Sequence, residues 1–392
     1  MASVGEMFRS GIFDSSTRDF LSADTLPPLC YTSPQFYEFE LEAIFYKEWL
    51  CLGHVGQIPE PGDYFTITIA NDALIVLRDE SGEVRVLSAV CRHRGMVLAE
   101  GTGRCERLLV CPYHGWSYDL RGDLVGAPDM GRTRGFDKRL IRLPSLRAEV
   151  WKGFIFANYK QDAEPLAAQL AAVEPIIANY RIDNLHFIHP SSYTFDANWK
   201  ILMENGIECY HCSRLHRGYH DCAPSHNQLP EPLPEHERLI VTQVRTTHRD
   251  AAFTPPTFRA LFPVLPDLTE DERHHMTWVA ILPNVLLSLQ SDNAHYFLLT
   301  PTGPGRVTAA VGWLYPDSTV TMLAFEELFK HQLEVHRPII EQDRLACSGV
   351  QKGLRSSLAA RGRLAWEEEP VAHFSRWLIE RYRRGLMENA SS

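Results

Sequence analysis

The 392-residue chain contains no apolar run of eighteen residues, so no segment has the length that a membrane-spanning helix needs. Its opening stretch, MASVGEMFRSG, lacks the basic-then-apolar layout of a secretory leader, which sets the expectation of a cytoplasmic protein. Basic residues are the minority charge. The 39 Lys and Arg stand against 49 Asp and Glu, and the net charge of −10 argues against nucleic acid as a partner. Internal repeats, low-complexity tracts and a GxGxxG-type nucleotide fingerprint are all missing. Cysteine is present, but its nine copies are an odd number spread along the chain. That pattern suits thiols and metal ligands rather than a disulfide framework. Hydrophobic residues at 45% and charged residues at 22% describe a well-filled globular interior, and the length favours two domains over one core.

Three zones differ in texture. After an irregular start, SPQFYEFELEAIFYKEWLCLG carries apolar positions at helical spacing. Between about 50 and 160 the pattern turns to short β-like runs broken by turn residues: YFTITIA, ALIVLRD, EVRVLSAV, LLVCPYHGWSYDL and WKGFIFANY. DESGEV reads as a hairpin turn between two of them. The third zone opens with a helix over AEPLAAQLAAVEPIIANY, then NWKILMENGIECYHCSRLH and a Pro-rich stretch from Pro224 to Pro266. Strand-like runs follow (TWVAILP, NVLLSLQ, AHYFLLTPTG, RVTAAVGWLYP), and then the long helical run LAFEELFKHQLEVHRPIIEQDRLACSGVQ. This part reads as α+β with an antiparallel sheet.

Two short segments of the β zone carry metal chemistry. CRHRG places Cys91 and His93 one residue apart, and CPYHGW places Cys111 and His114 two apart. Two loops, each offering one thiolate and one imidazole, suit a Rieske [2Fe–2S] cluster, where two Cys hold one iron and two His the other. Structural zinc sites use CxxC or HxxxH pairs instead. Gly95 and Gly115 follow the ligand positions directly, which would let backbone N–H groups turn towards cluster sulfides. Cys105 fits no ligand spacing and reads as a buried thiol.

ECYHCSRLH, residues 208–216, is the second constellation. A mononuclear oxygenase iron takes two imidazoles and one carboxylate and keeps positions open for chemistry. His211 and His216 are five apart and can converge on one ion where the helix loosens. A zinc site built from Cys209, Cys212 and His216, with Cys222 in reserve, is the competing reading; such a closed thiolate site leaves no open position. Glu208 precedes His211 by three residues and, on a helix, shares its face, either as an exposed acid or as a ligand itself. In IIEQDRLACSGVQKGL both Glu341 and Asp343 could supply the carboxylate.

CRHRG with CPYHGWSYDLRGDL resembles the N-terminal domain of Rieske non-haem iron oxygenase α subunits, the aromatic-ring-hydroxylating dioxygenase family. The likeness continues, in the family's order, through NWKILMENGIECYHCSRLH and EQDRLACSGVQKGL. It implies an α+β protein with an all-β Rieske [2Fe–2S] domain over residues 46–160. Residues 1–45 and 161–392 would form a helix-grip (START-like) catalytic domain, an antiparallel sheet around a long helix, holding one Fe(II).

The same resemblance implies His211, His216 and Asp343 as iron ligands, Asp343 standing eight residues before Gln351 of the VQxGL motif. Cys209 and Cys212 then become packing residues. Glu208 would bridge His211 to a Rieske histidine of a neighbouring subunit, which implies a homotrimer, and Asn205 would approach the iron without ligating it firmly. Electrons would come from NAD(P)H through a separate flavin/[2Fe–2S] reductase or a ferredoxin, then along His114, Glu208 and His211 to the iron that activates O₂.

Glu208, rather than Asp, resembles the branch acting on choline, glycine betaine, carnitine and proline betaine. The expected reaction is therefore hydroxylation or oxidative N-demethylation of a small quaternary ammonium compound. A ring-hydroxylating oxygenase of an arene or aromatic acid is the alternative. A stand-alone Rieske carrier or a zinc-binding interaction protein are the readings from other classes. Phe253, Phe258, Phe262, Trp278 and Tyr296 are the aromatic candidates for a cation–π pocket.

Overall fold

A computed structural model describes residues 4–234 and 236–391. The chain divides into two compact units: residues 45–167, and residues 1–44 with 168–392.

The β unit is built on a seven-stranded antiparallel sheet. Across it run Leu50–His54, Phe154–Asn158, Ser145–Trp151, Val84–Ser88, Asp72–Arg78, Asp63–Ile69 and Thr102–Arg104. A three-stranded sheet of Leu108–Val110, Ser117–Asp119 and Leu124–Gly126 stands beside it. DESGEV does make the hairpin turn. The buried carboxylate of Asp79 accepts the backbone N–H groups of Ser81 and Glu83 and pairs with Arg85 Nε at 2.8 Å. Side-chain capture of turn amides is what makes Asp a turn residue.

The second unit wraps a six-stranded antiparallel sheet around helices. Its strands run Leu185–Phe195, Arg306–Pro316, Ala294–Gly303, Val285–Leu289, His275–Ile281 and Leu239–Arg245. Two of these, Leu185–Phe195 and Leu239–Arg245, were not foreseen from the sequence, nor was the C-terminal helix Glu369–Ser391. The expected helix over AEPLAAQLAAVEPIIANY is broken instead into Leu166–Leu170, Ala171–Val173, Glu174–Ile177 and Ala178–Tyr180. Pro175, at the start of the third piece, has no N–H to continue the ladder.

Two helices position the chemistry. Trp199–Ile207 starts at Asn198, whose side chain accepts the Lys200 backbone N–H, and most of its residues are buried. Lys200 itself is fully buried, with Nζ 2.7 Å from Glu40 Oε2, and the Tyr382 hydroxyl and Trp199 indole donate to the same carboxylate. Removing one partner of such a buried pair costs about 3–5 kcal/mol. The 30-residue helix Phe325–Leu354 is tied to this short helix by Gln351, whose amide oxygen accepts the Asn198 backbone N–H at 2.6 Å.

Candidate active site and cluster loops

In the β unit the two ligand-bearing loops are near copies of one another. The N–H groups of Cys91 and Cys111 donate to the carbonyls of Met96 and Trp116, and those of Gly95 and Gly115 donate to the Cys91 and Cys111 carbonyls at 3.0 Å. Both glycines sit in the left-handed region, at φ 76° and 72°. Their N–H groups close the two loops on the cysteine carbonyls.

Cys91 and Cys111 are buried while His93 and His114 are half-buried, so thiols point inward and imidazoles lie nearer the surface. The two imidazole centroids are 4.6 Å apart, and His93 stacks on Trp116 at 4.8 Å. Burial, with His93 and Arg94 nearby, pushes the His114 imidazole down, favouring the neutral form that binds metal. The Tyr118 hydroxyl lies 3.3 Å from Cys91 Sγ. His93 Nδ1 is buried with no hydrogen-bond partner among the described residues, a lone polar atom that a cluster iron would satisfy. The residues thus fit a [2Fe–2S] cluster. Cys105, half-buried, lies outside this group, with its thiol 3.5 Å from the Gly62 carbonyl.

In the catalytic unit the helix Trp199–Ile207 does not continue through the ECYHC motif. The Ile207 carbonyl is taken by the Thr242 hydroxyl at 2.8 Å, and Glu208 turns extended (φ −125°, ψ 165°). Glu208 is therefore not on a shared helix with His211. It folds back on it. One carboxylate oxygen accepts the His211 backbone N–H at 3.2 Å and the other accepts Nδ1–H at 2.5 Å. A second short helix, Cys212–Leu215, ends at His216, which is again non-helical (φ −120°, ψ 56°). These two breaks let both imidazoles face one point.

Asp343 reaches the same point from the 30-residue helix. Its Oδ1 is 2.8 Å from His216 Nε2 and 3.6 Å from His211 Nε2, and the ligand atoms of the three side chains lie within 4.8 Å of one another. Asn205 donates to Asp343 Oδ1 at 3.3 Å and lies 3.5 Å from His211 Nε2. Gln342, which sequence reasoning missed, accepts His216 Nδ1–H at 2.8 Å and so turns Nε2 towards the cluster of ligands. Burial alone would push His211 down, but the Glu208 and Asp343 carboxylates more than offset it and raise the imidazole to about 9. The same carboxylates would favour a cation held between the ligands. Two imidazoles and a carboxylate around one point are the donor set of a non-haem iron site.

Glu341 is elsewhere: it is exposed and pairs with Arg344 at 2.5 Å. Cys209 and Cys212 are buried against each other, and Cys222, in the same buried cluster, has its thiol 3.7 Å from His248 Nε2. Among the described residues only His211, His216 and Asp343 bring three ligand atoms together, so the four candidates of the zinc reading do not form such a group.

The ligands open onto a pocket lined by the rings of Tyr219, Phe253, Trp278 and Phe297 together with aliphatic side chains such as Val244, Leu286 and Ile339. Of the five aromatic candidates, Phe253 and Trp278 line it. Phe258 stands behind it against Tyr219 and Phe253, Phe262 packs on Tyr315 and Phe325, and Tyr296 points to the other face of its strand, over Gly312. Gly206 also lines the pocket, and a β-carbon there would overlap Leu286 Cδ1.

Residues 182–384, more than half of the chain, match the model of the ring hydroxylating alpha subunit (catalytic domain). The chain belongs to that family. Residues 48–144 of this α subunit match the Rieske [2Fe–2S] domain, so the cofactors are a Rieske cluster and a mononuclear iron. The oxygenase subunit of carnitine monooxygenase from Acinetobacter pittii is 34% identical over 199 residues, 50% of this chain and 54% of that protein. The chain thus spans about half the length of that relative. Chloroplastic choline monooxygenase from Arabidopsis thaliana is 29% identical over 90% of this chain and 81% of its own. A solved quaternary ammonium Rieske monooxygenase shares the fold at TM-score 0.80, with 23% identity over 95% of this chain and 98% of that one. Among the described residues no helix of this family member is long and apolar enough to cross a membrane.

Proposed function

We propose that the chain is the terminal oxygenase component of a Rieske system that hydroxylates or oxidatively N-demethylates a small quaternary ammonium compound. The observation that carries this reading is one pocket joining His211, His216 and Asp343 to the rings of Tyr219, Phe253, Trp278 and Phe297. Aromatic faces attract a desolvated ammonium through their quadrupoles, by about 2 kcal/mol or more when buried. Relatives named for carnitine and choline support the same substrate class.

On this reading Cys91, Cys111, His93 and His114 hold the cluster, and His211, His216 and Asp343 hold the iron. When bound, the cluster supplies single electrons and the iron supplies O₂ activation. The remaining work belongs to the chain. Glu208 fixes the His211 ring by its Nδ1–H, Gln342 does the same for His216, and Asn205 holds the Asp343 carboxylate in place. We assign Glu208 the further role of linking His211 to His114 of a neighbouring copy, within a homotrimer served by a separate reductase or ferredoxin.

Turnover with NAD(P)H, a class-matched reductase and a substrate panel tests the reading. Formaldehyde or a hydroxylated product from a trimethyl- or dimethylammonium compound is expected. Turnover confined to naphthalene, biphenyl or benzoate would overturn the substrate class and leave the arene alternative.

A further inference from the structure

The pocket has a polar group that neither metal set uses. His336 lies seven residues before Asp343 on the 30-residue helix, two turns earlier and so on the same face. It is 2% exposed yet lines the pocket. Its imidazole makes no hydrogen bond among the described residues. Its neighbours are rings, with centroids at 5.1 Å (Phe253), 5.2 Å (Trp313) and 5.5 Å (His295). A neutral imidazole carries one donor and one acceptor, and those of His336 are unused by the protein among the described residues. Something that enters the pocket is the natural partner.

The charges around it narrow what that partner is. Among the described residues lining the pocket there is no lysine or arginine. Its acids, Glu208 and Asp343, are both engaged with histidines. Burial pushes His336 down to about 4, so it is neutral near pH 7. A carboxylate held beside His336 would lose its hydration among rings, two helical turns from the Asp343 end of the pocket where His211 and a bound iron supply the positive charge. A hydroxyl needs one donor or acceptor, which a neutral imidazole supplies.

Resting on the ammonium reading above, we propose that His336 hydrogen-bonds a hydroxyl of the substrate, so that the pocket selects quaternary ammonium alcohols over quaternary ammonium carboxylates. His336 is on this account a specificity-determining residue, and the aromatic walls hold the cationic end.

Three ligands of nearly equal size test it by calorimetry on the anaerobic, metal-replete protein: choline, glycine betaine and ethyltrimethylammonium. They share a trimethylammonium head and differ in carrying a hydroxyl, a carboxylate or neither. Choline is expected to bind at least tenfold more tightly than glycine betaine. It should also exceed ethyltrimethylammonium by about three- to tenfold, the range of one net hydrogen bond. His336→Leu should abolish the second preference without weakening ethyltrimethylammonium, and His336→Arg should reverse the choline-to-betaine order. Glycine betaine binding as tightly as choline in the wild type, a comparison that needs no variant, would overturn the inference. So would a hydroxyl preference that survives His336→Leu. If none of the three binds, the ammonium reading itself fails and takes this inference with it. If all three bind equally, the ammonium reading stands and the role of His336 falls.

Discussion

Replacing Glu208 by glutamine keeps the side chain's shape and removes its charge. In the native site one carboxylate oxygen accepts His211 Nδ1–H and the other accepts the His211 backbone N–H. A glutamine has one oxygen and one NH₂ group, so it can satisfy only one of these donors and must present a donor to the other. A hydrogen bond to a charged group contributes about 1.5–3 kcal/mol, which at about 1.4 kcal/mol per tenfold is roughly a 10–100-fold change. That matches the usual cost of losing a carboxylate behind a metal-binding histidine. Iron affinity of Glu208→Gln, read by competition with a chelator, should therefore fall roughly 10–100-fold, and saturating iron should refill the site. The Rieske absorption should be unchanged, because the cluster loops lie in the other unit. If Glu208 also links the two centres, refilled variant protein with a reduced cluster should fail to reoxidise when O₂ and substrate are added. Reoxidation at the wild-type rate in iron-replete Glu208→Gln would refute the link.

Further outcomes follow from the same geometry. Asp343→Ala should lose mononuclear iron and keep the Rieske spectrum, whereas Glu341→Ala, which removes only an exposed pair with Arg344, should keep both by metal analysis. His93→Cys should give a protein that still assembles a cluster but is inactive, since a thiolate in place of an imidazole lowers the potential; an unshifted midpoint potential would count against the cluster assignment. Buried Glu204, whose carboxylate accepts the Tyr31 hydroxyl at 2.6 Å, is raised from 4.5 to about 7 by burial. The folded state therefore holds a proton that the unfolded state has released between those values, and stability falls as pH rises from about 4.5 through about 7. Glu204→Gln should flatten that fall, worth about 3 kcal/mol, and so raise the melting temperature at pH 8 but not at pH 4.

What the sequence made legible was local. The paired Cys and His of CRHRG and CPYHGW sit on tight loops whose geometry is set within six residues, so spacing alone carried them. The breaks at Glu208 and His216 were not legible. Nothing in ECYHC forbids a helix, and the break depends on a carboxylate capturing the His211 backbone N–H and a Thr242 hydroxyl arriving from a distant strand. Choosing between Glu341 and Asp343 needed the direction of each side chain on one helix. The residues alone left it open, and in the structure Asp343 meets His216 while Glu341 meets Arg344 and solvent. Pocket walls failed for a similar reason. Tyr296 was singled out, but successive strand residues face opposite ways, and it is Phe297 that turns to the pocket. Tyr219 and His336 come from helices that only the tertiary fold brings together.

On the proposed reading this family member, with a Rieske cluster and a mononuclear iron, acts on a small ammonium compound in the pocket beside His211, His216 and Asp343. The measurement that bears on it most directly is a single turnover: protein with both metals loaded and the cluster reduced is mixed with O₂ and one compound, and the cluster's visible absorption is followed. Choline or another trimethylammonium compound should trigger rapid reoxidation and leave an oxidised or demethylated product, while benzoate, biphenyl and naphthalene should leave the cluster reduced. Reoxidation triggered by the arenes and not by any ammonium compound would contradict the account.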